Sequence, residues 1–549
     1  MTPPPEELLA RVRAWIDADP DETTQAELRE LVAAAQTDSH ALAELTDRFT
    51  GRLEFGTAGL RGAVAAGPNR MNRAVVIRAA AGLAAYLVEA VGSGTVVIGY
   101  DARHRSAEFA RDTASVICAA GLDAVLLPRP LPTPVLAFAI RHLHCIAGVM
   151  VTASHNPRRD NGYKVYLGDG VQIVPPADAE ISAAIDAVGS AREVPRTAGA
   201  VVLGDDLVAA YLDAVTALPD PASARDLSFV YTPLHGVGRE VVERALALCS
   251  FTEPAVVPEQ ADPDPDFATV AFPNPEEPGV MDLAIELAAS RDADLVIAND
   301  PDADRCAVAV PTLHGWRTLR GDEVGVLLGD HLLRRGVRGV FATTIVSSSL
   351  LGHLAAAHGV AYQETLTGFK WIGRVPGLGY GYEEALGYCV APQAVRDKDG
   401  ISALLLVAEL AAELKAVGAT LLDRLDEIAA EHGVYASDSV SVRVNDAALI
   451  DAAIQRLRST PPNALGGLGV VQVDDLSRGD AGLPPTEGLR FRLANNARVV
   501  VRPSGTEPKI KCYLEVVTSV SDGDVQATRI AAAGRLDAIR SDLVAAIGL

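Results

Sequence analysis

The chain has 549 residues, of which 49% are hydrophobic and 22% charged, and its formal net charge is −23 at pH 7. At about 100–200 residues per domain, this length predicts about three to five domains of an ordinary soluble globular kind. Such a charge repels nucleic acid and anionic membranes at long range, and no run of about 18 apolar residues marks a membrane helix, so neither is an expected partner.

The N-terminus, "MTPPPEELLARVRAW", has no basic segment followed by an apolar one, so no secretory leader is expected and the chain is read as cytoplasmic. "EELLARVRAWI" and "TQAELRELVAAA" flank the turn-like "DADPDE" and predict two amphipathic helices in an outer extension, residues 1–50. Strands and helices then alternate. "AVVIRAAAGLAAYLVEAV" predicts a helix, "GTVVIGYD" a strand, "SAEFARDTASVICAAG" a helix, "DAVLLP" a strand, "PTPVLAFAIRHL" a helix and "IAGVMVTAS" a strand. This alternation implies a mostly parallel sheet covered on both faces, in a first α/β domain over residues 51–205.

The theme recurs over residues 206–318, where "LSFVYTPLHGVG" and "ADLVIANDPDADR" read as strands running into loops and "REVVERALALC" as a helix. It recurs again over 319–434, with "GVFATTIVSSSLLGHLAAAHG" as strand then helix. The joints "LPDPASARD" and "EQADPDPD" are rich in proline and acid. Residues 435–549 differ: "DSVSVRV", "VVQVDDL", "LRFRLANNARVVVRPSGTEPKIKCYLEVV" and a closing amphipathic helix read as an α+β domain with a largely antiparallel sheet. The six cysteines (Cys118, Cys145, Cys249, Cys306, Cys389, Cys512) show no C-x-x-C spacing, which predicts free thiols in a reducing compartment.

Seven stretches, in five groups, carry candidate chemistry. In "GVMVTASHNPRRDNGYKVY" an apolar strand opens into small polar residues, with Ser154 just past its tip. Ligands of α/β sheets bind beyond the carboxyl ends of strands. A serine there is also a common turn or capping residue. A hydrolase nucleophile would sit in a G-x-S-x-G elbow, which is missing. His155 is expected to point away from its neighbour, as consecutive side chains do in an extended chain. In "NDPDADR" Asp300, Asp302 and Asp304 follow an apolar strand at alternate positions. Three such carboxylates either form a solvated acidic turn or converge on a hard cation such as Mg²⁺, which relieves their repulsion.

"RPSGTEPKIK" follows another apolar strand. Arg502 can grip phosphate bidentately, Ser504, Gly505 and Thr506 offer hydroxyl and backbone donors, and Lys509 and Lys511 add charge. The alternative is a hairpin with a solvated basic rim. In "EFGTAGLRG" the glycines permit close backbone approach around Arg61. Finally, "LTGFKWIG", "GYEEALGY" and "VRDKDG" place Glu383 and Glu384 to accept from sugar hydroxyls and Lys370 and Lys398 to meet a phosphate. The same residues also read as acid-rich helix N-termini, and the physics does not separate the two. A metal and a phosphate clamp together suit a serine that carries a phosphoryl group.

The order Thr152-Ala153-Ser154-His155-Asn156-Pro157, Asp300-x-Asp302-x-Asp304-Arg305, Gly381-Tyr382-Glu383-Glu384 and Arg502-Pro503-Ser504-Gly505-Thr506 resembles the α-D-phosphohexomutase superfamily over nearly the whole chain. "RLEFGTAGLRG", "GPNRMN", "TLTGFKWIG" and "GYEEALGY" resemble the branch of bacterial phosphoglucomutase and phosphomannomutase relatives and phosphopentomutases. The resemblance implies a four-domain, heart-shaped α/β molecule, three mixed-sheet α/β domains plus a C-terminal α+β domain, with a central cleft. It implies a phosphoserine at Ser154 and Mg²⁺ held by Asp300, Asp302, Asp304 and a phosphate oxygen on Ser154. Arg61 would stabilise the transferring group, Lys164 would serve proton transfer or orientation, and His155 and Arg305 would line the site. Thr367, Glu383, Glu384 and Lys398 would recognise the sugar or its phosphate, and Arg502, Ser504, Gly505, Thr506 and Lys511 would clamp the distal phosphate.

The implied reaction moves a phosphoryl group between the 1- and 6-positions of a hexose, glucose first, through a bisphosphorylated sugar that also serves as activator. The rivals are mannose or pentose phosphates by the same mechanism, a Mg²⁺-dependent phosphatase, and a non-catalytic phosphosugar sensor. Many glucose-preferring relatives carry serine after the paired acids; Ala385 stands there in this chain, and Lys511 stands where some relatives carry arginine. A monomer or a dimer is expected.

Overall fold

The computed structural model describes residues 5–444, 447–479, 483–503, 509–521 and 523–548. It divides into two compact units, Met1–Thr318 with Gly387–Ala412, and Leu319–Leu386 with Glu413–Leu549.

The first unit opens with three helices, Glu6–Ala18, Glu22–Ala34 and Ser39–Arg48, rather than the two expected. The third is short, but Asp38 caps it by accepting from the His40 N–H at 2.8 Å. Leu8, Val12, Leu28, Leu45 and Phe49 give the three helices a small core of their own. The bundle is tied onward by Arg105 to Asp21 (2.7 Å) and by the Arg192 N–H to the Ala18 carbonyl (3.0 Å).

Next comes a six-stranded sheet in the spatial order Leu60–Ala63, Asp160–Leu167, Ala147–Val151, Thr95–Tyr100, Asp123–Leu126, Val201–Val202. Its inner strands bury Val96, Ile98, Val149, Val151, Tyr163 and Val165 against Leu83, Phe109 and Ile117 of the covering helices. A second sheet of five follows, in the order Gly315–Thr318, Ala307–Thr312, Leu295–Ala298, Phe229–Thr232, Ala255–Val256.

Both sheets are mixed, as the resemblance implies: three of the five pairings in the first are parallel, and two of the four in the second. Asp160–Leu167 returns antiparallel to Ala147–Val151, and Ala307–Thr312 returns antiparallel to Leu295–Ala298. The cause is chain length. Residues 152–159 and 299–306 are too few for the crossover of about a dozen residues that a parallel neighbour needs. Both returning strands are buried along most of their length, so they lack the alternation that marks a half-exposed strand. The serine loop and the aspartate loop are therefore the same device used twice, a short link between antiparallel strands.

In the second unit, Ala361–Thr365, Val340–Thr344 and Leu378–Glu383 run parallel side by side. The C-terminal sheet is antiparallel in every pair, in the order Val434–Arg443, Lys509–Thr518, Arg498–Pro503, Leu489–Leu493, Leu468–Asp475, Ala464–Leu465. The helix Val525–Ile547 packs on it through Leu536, Ile539 and Leu543. All six cysteines are free, and all but Cys118 are buried.

Candidate active site

The serine loop begins where the strand Ala147–Val151 runs out of apolar residues. The Thr152 hydroxyl accepts from the Ser154 N–H at 2.9 Å, which folds the chain back on itself. Ser154 takes φ +52°, the left-handed region that a residue with a side chain occupies only under constraint. It is almost wholly buried, and its hydroxyl donates to Asp300 Oδ2 at 2.7 Å. Ser154 is thus not a helix cap. The expectation that His155 diverges from it also fails, because it assumed an extended chain. With Ser154 left-handed, His155 Nδ1 comes to 3.2 Å from the serine Oγ. Burial, then Arg305 and Arg61, hold the imidazole well below its usual pKa, so it is neutral.

What holds the strained loop is Arg103. Its Nη2 donates to the Ser154 and Asn156 carbonyls (2.6 and 2.5 Å), and its Nη1 to those of Pro157 and Asp160 (2.8 and 3.0 Å). Its Nε lies 3.4 Å from the buried carboxylate of Asp101, and Phe267 covers its face at 4.7 Å. Arg103→Met removes four hydrogen bonds to loop carbonyls and the guanidinium beside buried Asp101, which keeps the Ser106 hydroxyl and the main-chain N–H of position 103, a loss of about 3–5 kcal/mol. We expect a melting temperature lowered by several degrees and a kcat that falls while KM holds. A lowered melting temperature with unchanged kcat makes the clamp structural only.

The aspartate loop follows the strand Leu295–Ala298. Ala303 turns left-handed (φ +53°), and its N–H meets the Asp300 carbonyl at 2.8 Å. Thr133, first residue of the helix Thr133–His142, fixes Asp302 twice: its N–H donates to the Asp302 carbonyl (2.9 Å) and its hydroxyl to Oδ2 (2.6 Å). Lys164, brought in on the returning strand opposite Met150, donates to Asp302 Oδ2 (2.7 Å) and Asp304 Oδ2 (2.9 Å). Lys398 stands 3.4 Å from Asp304, and Arg305 Nε stands 3.8 Å from Asp304 and 3.9 Å from Asp300. Arg61 donates to Asn156 Oδ1 at 3.1 Å beside the same loop. At Gly59, φ +75°, a Cβ would fall 1.8 Å from the Tyr163 carbonyl, the close approach expected of "GTAGLRG".

Electrostatics splits the triad. Burial and the other two aspartates push Asp300 well above the usual carboxylate range. Burial acts the same way on Asp302 and Asp304, but the lysines outweigh it: Lys164 with Thr133 holds Asp302 low, and Lys164, Lys398 and Arg305 hold Asp304 low. Some of the expected repulsion is therefore relieved by the chain's own cations. The set still fits a divalent ion. The three residues offer carboxylate oxygens within 4.8 Å of one another, all buried. Asp302 Oδ1 and Asp304 Oδ1 are buried and accept no hydrogen bond. Buried orphan acceptors of hard oxygen type are what such a cation requires.

In the second unit, Glu383 ends the strand Leu378–Glu383 and Glu384 follows it, so neither lies at a helix N-terminus. Glu384 Oε2 accepts from the Ser347 and Thr344 hydroxyls (2.9 and 3.2 Å). Burial, then Glu383 and Asp322, push its carboxyl up to about 7. Thr367 and Lys370 are half-buried, with Lys370 in the single-turn helix Phe369–Ile372. Arg502 and Lys511 are paired residues on adjacent antiparallel strands. Ser504, Gly505 and Thr506 lie outside the described residues.

The structure thus gathers Ser154, His155, Arg61, Lys164, Asp300, Asp302, Asp304, Arg305 and Lys398 within the first unit. Glu383, Glu384, Thr367, Lys370, Arg502 and Lys511 belong to the second. Sequence reasoning missed Arg103, Asp101, Thr133 and Tyr513. Burial, then the charge on Glu384, pushes the Tyr513 hydroxyl up, while the nearby Arg502 works the other way. The signal for Tyr513 was available, since it stands two residues beyond Lys511 on one strand and so shares its face.

Three mixed α/β domains, an antiparallel C-terminal domain and a buried serine against three aspartates define an enzyme of the phosphotransferring isomerase class. Known families agree, domain by domain. Residues 52–192, 209–315 and 320–431 match the phosphoglucomutase/phosphomannomutase α/β/α domains I, II and III, and residues 440–533 match the C-terminal domain of the same proteins. A probable phosphomannomutase of Haemophilus influenzae is 49% identical over 454 residues, covering 81% of this chain and 93% of its own. The phosphopentomutase of Homo sapiens is 34% identical over 576 residues, covering 93% and 91%. A crystal structure described as a "putative phosphomannomutase" from Thermus thermophilus superposes with a TM-score of 0.70 at 26% identity, covering 89% and 99%. The chain belongs to the phosphoglucomutase/phosphomannomutase family of the α-D-phosphohexomutase superfamily.

Proposed function

We propose that the enzyme interconverts glucose 1-phosphate and glucose 6-phosphate, with Ser154 as the phosphoryl carrier. The observation that carries this reading is the buried Ser154 hydroxyl, 2.7 Å from Asp300 and beside two carboxylate oxygens that accept no hydrogen bond. In the resting enzyme Ser154 bears a phosphoryl group. The free hydroxyl of the sugar monophosphate attacks that phosphorus, the bond to Ser154 Oγ breaks, and a sugar bisphosphate forms. The bisphosphate turns about, Ser154 Oγ attacks the phosphorus at the other end, and the isomeric monophosphate leaves.

Arg61 lies beside the serine loop and stabilises charge on the moving group. Lys164 orients the sugar hydroxyl and handles its proton, and neutral His155 and Arg305 line the same site. Asp300, Asp302, Asp304 and an oxygen on Ser154 hold Mg²⁺, which when bound neutralises phosphoryl oxygens. Thr367, Lys370, Glu383, Glu384 and Lys398 recognise the sugar or its phosphate, and Arg502, Ser504, Gly505, Thr506 and Lys511 hold the phosphate that does not react. This reading keeps the domain bounds 51–205, 206–318, 319–434 and 435–549. It also places the enzyme in the cytoplasm, in keeping with free cysteines and with no described helix long and apolar enough to cross a membrane.

A second reading, a pentose phosphate mutase, is favoured by the phosphopentomutase relative; Ala385 after Glu384 removes a mark of glucose preference without choosing between mannose and pentose. One panel separates the readings: glucose, mannose, glucosamine and ribose 1-phosphates, each assayed for isomerised ester and for free phosphate. We expect the highest kcat/KM with glucose 1-phosphate and no net phosphate release. Ribose in first place supports the second reading, and stoichiometric free phosphate replaces a mutase by a phosphatase.

Glu384 supplies a pH test. A carboxyl whose native pKa is raised holds its proton more tightly in the folded protein than in the unfolded chain. The stability it lends is full below the unfolded value and is lost as pH rises through about 7. Glu384→Gln removes that loss. The variant should match the parent near pH 4.5 and exceed it at pH 8, on the order of 1–2 kcal/mol after allowing for the side chain's partial exposure. Melting curves across this range check the sign.

A further inference from the structure

Lys398 lies on a turn between two acids, Asp397 and Asp399, and both acids are almost wholly buried. Asp399 fixes the main chain. Its carboxylate accepts from the Ile401 and Ser402 N–H groups (3.0 and 3.1 Å) at the head of the helix Gly400–Ala416, and from the Tyr211 hydroxyl at 2.9 Å. Gly400 packs directly on the aspartate loop, where a Cβ would fall 2.2 Å from the Arg305 carbonyl. The turn is therefore anchored on one side without Asp397.

Asp397 faces the returning strand Asp160–Leu167 instead. Its Oδ2 accepts from the Tyr166 hydroxyl (2.9 Å) and from Gln172 Nε2 (3.0 Å), and its Oδ1 accepts from the Lys398 main-chain N–H (2.8 Å). Burial, then Asp397, push the Tyr166 hydroxyl well above its usual pKa, so it stays the donor. Tyr166 stands two residues beyond Lys164 on that strand, so the two share a face. One reaches Asp397 and the other reaches Asp304, the two carboxylates between which the Lys398 ammonium stands, at 3.9 Å from Asp397 Oδ1 and 3.4 Å from Asp304 Oδ2. Lys164 already donates to that Asp304 oxygen at 2.9 Å. The charge on Asp397 thus offsets the pull of Asp304 on Lys398. An amide at position 397 has neither the charge nor two accepting oxygens for three donors.

We propose that Asp397, with Tyr166 behind it, is a positioning residue for the mutase reaction. It acts through Lys398, holding that ammonium off Asp304 and presenting it to a phosphate oxygen. This rests on the reading of Lys398 as a group that recognises the sugar or its phosphate.

The full-length enzyme, saturated with Mg²⁺, is assayed with whichever sugar 1-phosphate of the panel above it turns over fastest. Asp397→Asn should raise KM about tenfold with kcat within about twofold of the parent, as for one weakened charge-assisted contact to substrate. Lys398→Met should raise KM at least as far, and Asp304 keeps Lys164 in that variant. The deciding variant carries both substitutions. With Lys398 gone Asp397 has nothing to position, so the double variant should match Lys398→Met within about twofold. Effects that multiply, an unchanged KM in Asp397→Asn, or a fall in kcat alone overturn the inference and leave the reading of Lys398 in place. Parental KM in Lys398→Met removes Lys398 from substrate recognition, and the inference with it. Should Asp397→Asn fail to fold, Tyr166→Phe decides, because Asp397 there keeps Gln172 and the Lys398 N–H. A KM raised about threefold in the parent and not raised further beside Lys398→Met is expected. An unchanged KM, or an equal rise in both backgrounds, overturns the inference.

Discussion

Ser154→Ala is expected to lower kcat by about 10⁴-fold or more while the affinity for glucose 6-phosphate stays within a few-fold of the parent. Removing a covalent carrier takes away the only path through which both half-reactions run, so nothing compensates. Binding is spared because the residues proposed to read the sugar and its distal phosphate are others, Glu383, Glu384, Arg502 and Lys511 among them. The fold is spared as well. The lost hydroxyl gives up one hydrogen bond to Asp300, and the alanine variant keeps at this position both the Thr152 contact to its N–H and the Arg103 contact to its carbonyl. Intact-mass measurement gives an independent reading. Active parent enzyme should carry the mass of one phosphoryl group, and the variant should not. Retained turnover in the variant, or active parent that never carries the extra mass, removes the carrier from the mechanism.

The parts of this site legible in the sequence are those where chemistry breaks a local pattern. The strand Ala147–Val151 is apolar on both faces and then turns polar at once, and the strand Leu295–Ala298 does the same before Asp300. Such breaks mark loops at sheet ends, and the structure has both there. His155 was misjudged because its position depended on one dihedral, the left-handed Ser154, which no side-chain pattern announces. Arg103 was invisible for a related reason. It acts on four main-chain carbonyls, and those leave no trace in residue identity. The antiparallel returns were missed because burial on both faces erases the alternation that marks a strand. Lys398 was grouped with the sugar loop by its nearness in sequence to Glu384, yet it stands against Asp304 in the first unit because residues 387–412 pack there.

Asp302→Asn tests the metal assignment with the least change of shape. The amide keeps the size of the carboxylate, and its oxygen still accepts from the Thr133 hydroxyl, which in the parent donates at 2.6 Å to Oδ2. What is lost is one negative charge, facing Lys164 at 2.7 Å on one side and presenting the unpartnered Oδ1 on the other. Losing a preorganised charge at a developing phosphoryl transition state costs about 10²–10³ in rate, and kcat should fall by that factor. Lys164 keeps Asp304 at 2.9 Å, so the buried ammonium is not stranded and the enzyme should remain folded. Extra Mg²⁺ should restore little, because mass action can refill a weakened site but cannot replace the charge missing beside the phosphoryl group. Mn²⁺ titration followed by electron paramagnetic resonance separates the two ways of losing rate. Weakened Mn²⁺ binding together with the lowered kcat supports a three-carboxylate metal site. A lowered kcat with Mn²⁺ affinity unchanged means that Asp302 acts through Lys164 alone, and parental kcat means that these carboxylates hold no catalytic ion.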